Sequence, residues 1–440
     1  TMVNIQGAIT ITAAVADSLE LNLHDEDDTT ARTWTLDNDD VENTATIDSD
    51  GAFSLISYRP GDLSSTGVTV NGGSGGNAFI VNATTANAPT TLNTGTGADT
   101  VNVFTTGDNT LDIHGQNGAD TVTLGNNATA PGMQGLLGTI NVDNSLGLTD
   151  LTLDDALNTQ STTVTLTDDG TNGQVTGLAP ATINYVDSDL NSLTINGGSG
   201  GNDFTIDGTP SDTPTTLNTG TGNDVTTVLA TNAGGSLTIH GQGGQDFVGI
   251  GDLGSIANIL GAITVDNSDG LTDLDVDASA DSVSHNFTLS SSGASSTLED
   301  LAPATITYVT ADISSLSIET SAFGSQVMNI DMSGGNPIPT ASTPGLYFNG
   351  GANQGDATGN HALNIFGTLP TGPFSTEVHN ANDPFVFAYN GHYGSIFFND
   401  GQGEDTSLTS IYYAGLLPIN DTTPVTTYTF NDLGVDQSFT

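Results

Sequence analysis

Four short stretches set a carboxylate directly behind a glycine-rich turn. They are TGTGAD with Asp99, GQNGAD with Asp120, TGTGND with Asp224 and GQGGQD with Asp246. A fifth, GGSGGND, carries Asp203 one residue later, and GQGED near the C-terminus carries Asp405. These residue types suit a hard cation. Glycine lets several backbone carbonyls point inward, a carboxylate supplies the charge, and calcium takes roughly six to eight such oxygens in flexible geometry.

Against the nonapeptide G-G-x-G-x-D-x-U-x, with U a large apolar residue, residues 94–102 depart only at the first glycine. Residues 115–123 and 241–249 depart only at the second, and residues 219–227 at the first glycine and the apolar position. In NGGSGGNAF the aspartate is replaced by Ala78, leaving Asn77 as the polar residue of that turn. Stacked turns predict one column holding Asp99, Asp120 and Asp150 and another holding Asp203, Asp224, Asp246 and Asp273, with several calcium ions between successive turns. The alternative is a set of Asn/Asp-Gly turns without metal. Unscreened carboxylates one strand spacing apart repel, which favours the cation.

The elements that must position these turns are visible as repeats. NGGSGGN starts at Asn71 and again at Asn196, and TLNTGTG at Thr91 and Thr216, both 125 residues on. VDNS (Val142, Val265) and LAPATI (Leu178, Leu301) recur after 123. The divisions are a partial unit at 1–66, full units at 67–191 and 192–314, and a divergent unit at 315–440. Within each unit short alternating runs such as LTI, LNT and ITV recur, rich in Thr, Val and Ile, and helical periodicity is nearly absent. The expected fold is all-β: a parallel β-helix or β-solenoid whose Gly-Asp turns stack along one edge. The alternative is a row of β-sandwich domains of about 125 residues.

The turns resemble the calcium-binding repeats of RTX proteins, and the larger order resembles the long secreted repeat proteins abundant in Planctomycetes. The resemblance spans nearly the whole chain and weakens after residue 315. It implies a β-solenoid and an extracellular or cell-surface setting, without implying an activity. The sequence departs from RTX arrays in having one Gly-Asp turn per rung.

Composition narrows the partners. The chain has 440 residues with 51 acids against two basic residues, Arg32 and Arg59, for a net charge of −49. Seven acids are Glu, so 44 are Asp. Nucleic acid is excluded for want of a basic surface, and no apolar run is long enough to cross a membrane. A halophile's solvated acidic surface is the alternative source of such charge. With no cysteine, metal is the expected staple. The turn-opening residues Asn71, Asn93, His114, Asn196, Asn218 and His240 are expected to form a polar ladder rather than a zinc or catalytic site.

The last unit holds 16 of the 25 Phe and Tyr residues, which suits an aromatic core, a cap or an assembly contact. Together these features predict a non-enzymatic, calcium-stabilised structural protein of a cell surface, matrix or filament, polymerising end to end. An adhesin binding an extracellular polysaccharide through the aromatic unit is the alternative. A polysaccharide-active β-helix enzyme ranks lower, because no Lys and only two Arg are present.

Overall fold

Side-chain alternation sets the strands. Thr90–Asn93, Leu111–His114 and Ile140–Asp143 each bury every second residue and leave the others half-exposed. Branched residues favour extended backbone, and the pleat sends successive side chains to opposite faces. The computed structural model describes residues 8–433 apart from 14, 17, 40–42, 50–52, 87, 127–131, 352–360, 383–391, 400–408 and 417–418. Among the described residues the only helical pieces are three single-turn 3₁₀ segments, and the remaining elements are strands.

Two compact units divide the chain after Gly222, inside the second copy of the sequence repeat. In the first unit the strands alternate between two largely parallel sheets. One carries Leu19–His24, Leu63–Asn71, Thr90–Asn93, Leu111–His114 and Ile140–Asp143 side by side. The other carries Ala78–Val81, Thr100–Val103, Ala119–Gly125, Leu148–Asp154 and Leu190–Asn196. Exact register stacks like on like: Val70, Leu92, Ile113 and Val142 form one buried file, and Val81, Val103, Leu124, Leu153 and Ile195 the facing one.

The second unit repeats this plan. Val228, Ile250, Val276, Ile318, Phe348 and Tyr413 form a single in-register buried file. The aromatic enrichment there thickens the core: Phe374 packs on Phe398 with ring centroids 4.9 Å apart, and His379 lies edge-on to Tyr413. Asp405 lies outside the described residues.

The stack is not a plain coil. In each copy the chain skips ahead, runs back antiparallel and then rejoins, as in Thr163–Asp168, Asn172–Thr176 and Ile183–Val186. Strands His285–Ser292, Ser295–Glu299 and Ile306–Val309 repeat the detour in the second unit. The detour gives the repeat an odd number of strands, eleven from Leu63–Asn71 to Ile183–Val186. Equivalent strands of successive copies therefore fall in opposite sheets: Leu63–Asn71 in one, Leu190–Asn196 in the other. The expectation that the turns share one edge is thus corrected. Residues 72–77 pass from the first sheet to the second, whereas residues 197–202 pass from the second to the first.

Glycine has a steric reason in these turns. A Cβ on Gly95, where φ is +113°, would lie 1.9 Å from the Gly73 carbonyl oxygen, and one on Gly220 would lie 1.9 Å from that of Gly198. Successive turns nest backbone on backbone. Gly95→Ala is expected to destabilise the chain by about 3 kcal/mol, combining left-handed strain with overlap. Gly61→Ala, with open space around its Cβ, should stay within about 0.5 kcal/mol in the same urea titration. Equal effects would refute the nesting account.

Candidate functional site

At each turn one side chain folds inward and serves the rung before it. Asn77 Oδ1 accepts the Arg32 N–H at 3.1 Å. Asp99 Oδ1 accepts the Asn77 N–H at 2.5 Å, and Asp120 Oδ1 the Asp99 N–H at 2.8 Å. Asn144 then donates Nδ2–H to Asp120 Oδ2 at 3.0 Å, while its own N–H goes to Asp189 Oδ2 at 2.9 Å. The next copy repeats the pattern. Asn202 Oδ1 accepts from Thr162 N–H at 3.1 Å in the first unit. In the second unit Asp246 accepts from Asp224 N–H at 2.9 Å and from Asn267 Nδ2–H at 2.9 Å, and Asn267 N–H goes to Asp312. The order Asn, Asp, Asp, Asn, Asp recurs unchanged.

These side chains are buried: Asp99 is 1% exposed, Asp120 2%, Asp224 2% and Asp246 4%. Desolvation raises the proton affinity of Asp99, Asp120 and Asp246. Asp99 is pushed up to about 6, even though the Asn77 N–H bond pulls the other way. Asp120 and Asp246 rise to about 7, burial being the larger cause and the neighbouring carboxylate (Asp99 and Asp224 respectively) adding to it.

The asparagine and aspartate rungs differ in one atom. Asn77 Nδ2 donates to the carbonyls of Gly73 at 3.0 Å and Thr94 at 2.9 Å. Asn202 Nδ2 does the same to Gly198 and Thr219, at 3.1 and 3.0 Å. Where the amide presents N–H groups, Asp99 presents Oδ2, a buried oxygen without a hydrogen-bond donor. A carboxylate oxygen there needs a proton or a cation. Calcium fits that requirement in its chemistry, with Asp99 and Asp120 as charged ligands and turn carbonyls as further oxygens. Among the described residues, no three His, Cys, Asp or Glu side chains converge to hold a metal ion.

Of the expected site residues, Asp99 and Asp120 meet in one ladder and Asp224 and Asp246 in another. Asp150 stands apart from the turns, in Leu148–Asp154, bonded to Asn191 Nδ2 at 2.7 Å and Ser192 Oγ at 2.6 Å. Asp273 is its counterpart, bonded to Ser314 and Ser315. Asp203 faces solvent while Asn202 takes the inward place. The ladder members Asn144, Asp189, Asn267 and Asp312 were missed, although their recurrence in VDNS and in DSDL/TADI was a usable signal.

The turn-opening asparagines form the expected polar pairs, and the histidines bond to an aspartate of the following strand. Asn93 Nδ2 donates to Asn71 Oδ1 and Asn218 Nδ2 to Asn196 Oδ1, both at 2.7 Å. His114 and His240 pair with Asp143 and Asp266 at 2.7 and 2.8 Å. No protein-family model matches the chain, and no curated protein does either.

Two outcomes follow from the ladder. In EDTA, Asp120 and Asp246 keep protons in the folded state that the unfolded chain releases near the ordinary carboxylate value. Stability is then full below about pH 4 and is lost as pH rises towards about 7. Thermal midpoints should fall over that interval, and Asp120→Asn with Asp246→Asn should flatten the fall; an unchanged slope would count against it. Asn77→Asp removes both donations to carbonyls and should cost about 2 kcal/mol at neutral pH, recovering in part at mildly acidic pH. A pH-independent loss would contradict this.

Proposed function

We propose that the chain is a calcium-stabilised structural protein of the extracellular space or cell surface, with no catalytic role, assembling end to end with further copies. The carrying observation is the rung-to-rung interlock repeated with the same side chains in two sequence copies. A device that ties each turn to the next suits a scaffold under load.

The calcium part of the reading is supported by the donorless Asp99 Oδ2 and by a net charge of −49 with two basic residues. One of those, Arg32, is already spent on Asp28 at 2.5 Å. The likeness of the turns to RTX repeats points the same way and brings the extracellular setting with it. Calcium at ten times its Kd adds about 1.4 kcal/mol for each site it fills only in the folded state. A few such sites would match the whole net stability of an ordinary domain. A second reading, glycan binding by the aromatic C-terminal part, is favoured by Tyr428 and Phe430, which are about half exposed on Val425–Asp432.

Sedimentation velocity across a calcium titration from EDTA tests the proposal. Compaction followed by concentration-dependent association is the expected result. A compact monomer indifferent to calcium would overturn both the metal and the assembly.

A further inference from the structure

One feature breaks the repeat. Asp168 ends the strand Thr163–Asp168, and Asp187 opens the 3₁₀ turn Asp187–Asp189. Strand register equates them with Ser291 and Thr310 of the next copy, since Leu166 faces Val175 as Leu289 faces Leu298, and Tyr185 faces Gly173 as Tyr308 faces Ser296. In that copy the place is closed with neutral groups: Thr310 and Ser296 hydroxyls share a hydrogen bond of 2.6 Å, and Ser291 Oγ donates to Ser295 O at 3.2 Å. The first copy puts two carboxyl groups there instead.

Asp187 is 4% exposed, and its Oδ2 accepts the Ser211 N–H at 3.0 Å. Its Oδ1 is buried with no hydrogen-bond donor. The Asp168 carboxyl stands against it; burial first, and then this neighbour, push Asp187 up to about 6. Asp168 is itself held in place, accepting Gly170 N–H at 2.8 Å and the Tyr185 hydroxyl at 3.0 Å. An open cleft of about 600 Å³ reaches Asp168, and Asp169 and Asp207 also line it. Each adds negative potential and none adds a cation.

Two carboxyl groups in contact hold either a shared proton or a metal ion between them. The cleft beside Asp168 supplies water to complete a coordination shell. We propose that Asp168 and Asp187 bind a single divalent cation of the hard, oxygen-preferring class, calcium foremost, whose remaining ligands are waters of the cleft. The site shares the turn Asp187–Asp189 with the first ladder, but neither of its two carboxyl groups is a ladder side chain.

Tyr185, on Asp168, provides a built-in reporter. With terbium as the probe on the full chain, tyrosine-sensitised emission should be displaced by calcium. It should drop sharply in both Tyr185→Phe and Asp187→Asn. The pair Asp168→Ser with Asp187→Thr transplants the neutral solution of the next copy, so it should fold and be at least as stable in EDTA. Equilibrium dialysis with radiolabelled calcium should then show one ion fewer per chain, or an affinity at least about 10-fold weaker at one site. Unchanged ion count and affinity in that double variant would overturn the proposal, as would terbium emission indifferent to Tyr185→Phe. Asp99→Asn with Asp120→Asn separates the two readings. Emission that survives in it supports the cleft site whatever becomes of the ladders, and emission lost with it assigns the ion to the ladders and sinks the proposal.

Discussion

The turns of this protein lie so close that backbone touches backbone, and most of the remaining design follows from that contact. With a carbonyl about where the Cβ of Gly95 or Gly220 would stand, no side chain fits between successive turns. The one that does enter, from Asn77, Asp99, Asp120 or their counterparts, must satisfy the N–H of the rung before it. An amide meets both demands of the place, accepting with oxygen and donating with nitrogen to two carbonyls. A carboxylate meets only the first: Asp120 and Asp246 have their second oxygen served by Asn144 and Asn267, whereas Asp99 Oδ2 has no donor. Mixing the two chemistries along a stack gives rungs that close by themselves and, at Asp99, a rung whose free oxygen calls for a proton or a cation.

This distinction separates the aspartates into two populations. Asp99, Asp120 and Asp246, in the ladders, are buried and hold protons well above the ordinary carboxylate range. Those such as Asp150 and Asp273 lie along strands, half in water, taking hydroxyl and amide donors from the next strand. The outward faces carry a third device, neutral asparagine files such as Asn286, Asn329, Asn364 and Asn420, each donating to the one before at 2.9–3.0 Å. Repeated side chains are thus stacked where they can hydrogen-bond, and the exposed charge is left to the solvent.

Much of this was legible in the sequence. Alternation of Thr, Val and Ile marked the strands, and the recurring NGGSGGN and TGTG stretches marked the turns. The antiparallel detours were invisible because an antiparallel strand alternates just as a parallel one does, and chain direction leaves no trace in side-chain pattern. The substitution of Asn144 for an expected Asp150 has a similar cause. In VDNSLGLTD both the asparagine and the aspartate sit near a glycine, and spacing alone does not say which enters the turn and which begins the strand. Asp203 was misplaced by one residue because the counting favoured carboxylates over amides. The acidic pair at Asp168 and Asp187 was detectable only as a departure from the next copy, where Ser291 and Thr310 stand.

The odd strand count of the repeat has an effect beyond topology. In residues 8–222, a strand that faces one way in the first copy has its counterpart facing the other way in the second. Sequence periodicity and surface periodicity therefore differ by a factor of two. Any partner that recognises one copy's outer face would meet the same face again only after skipping a copy. Duplicating a single unit would reverse its display, whereas duplicating a pair would preserve it, so growth of such a gene by pairs keeps an established binding face in phase.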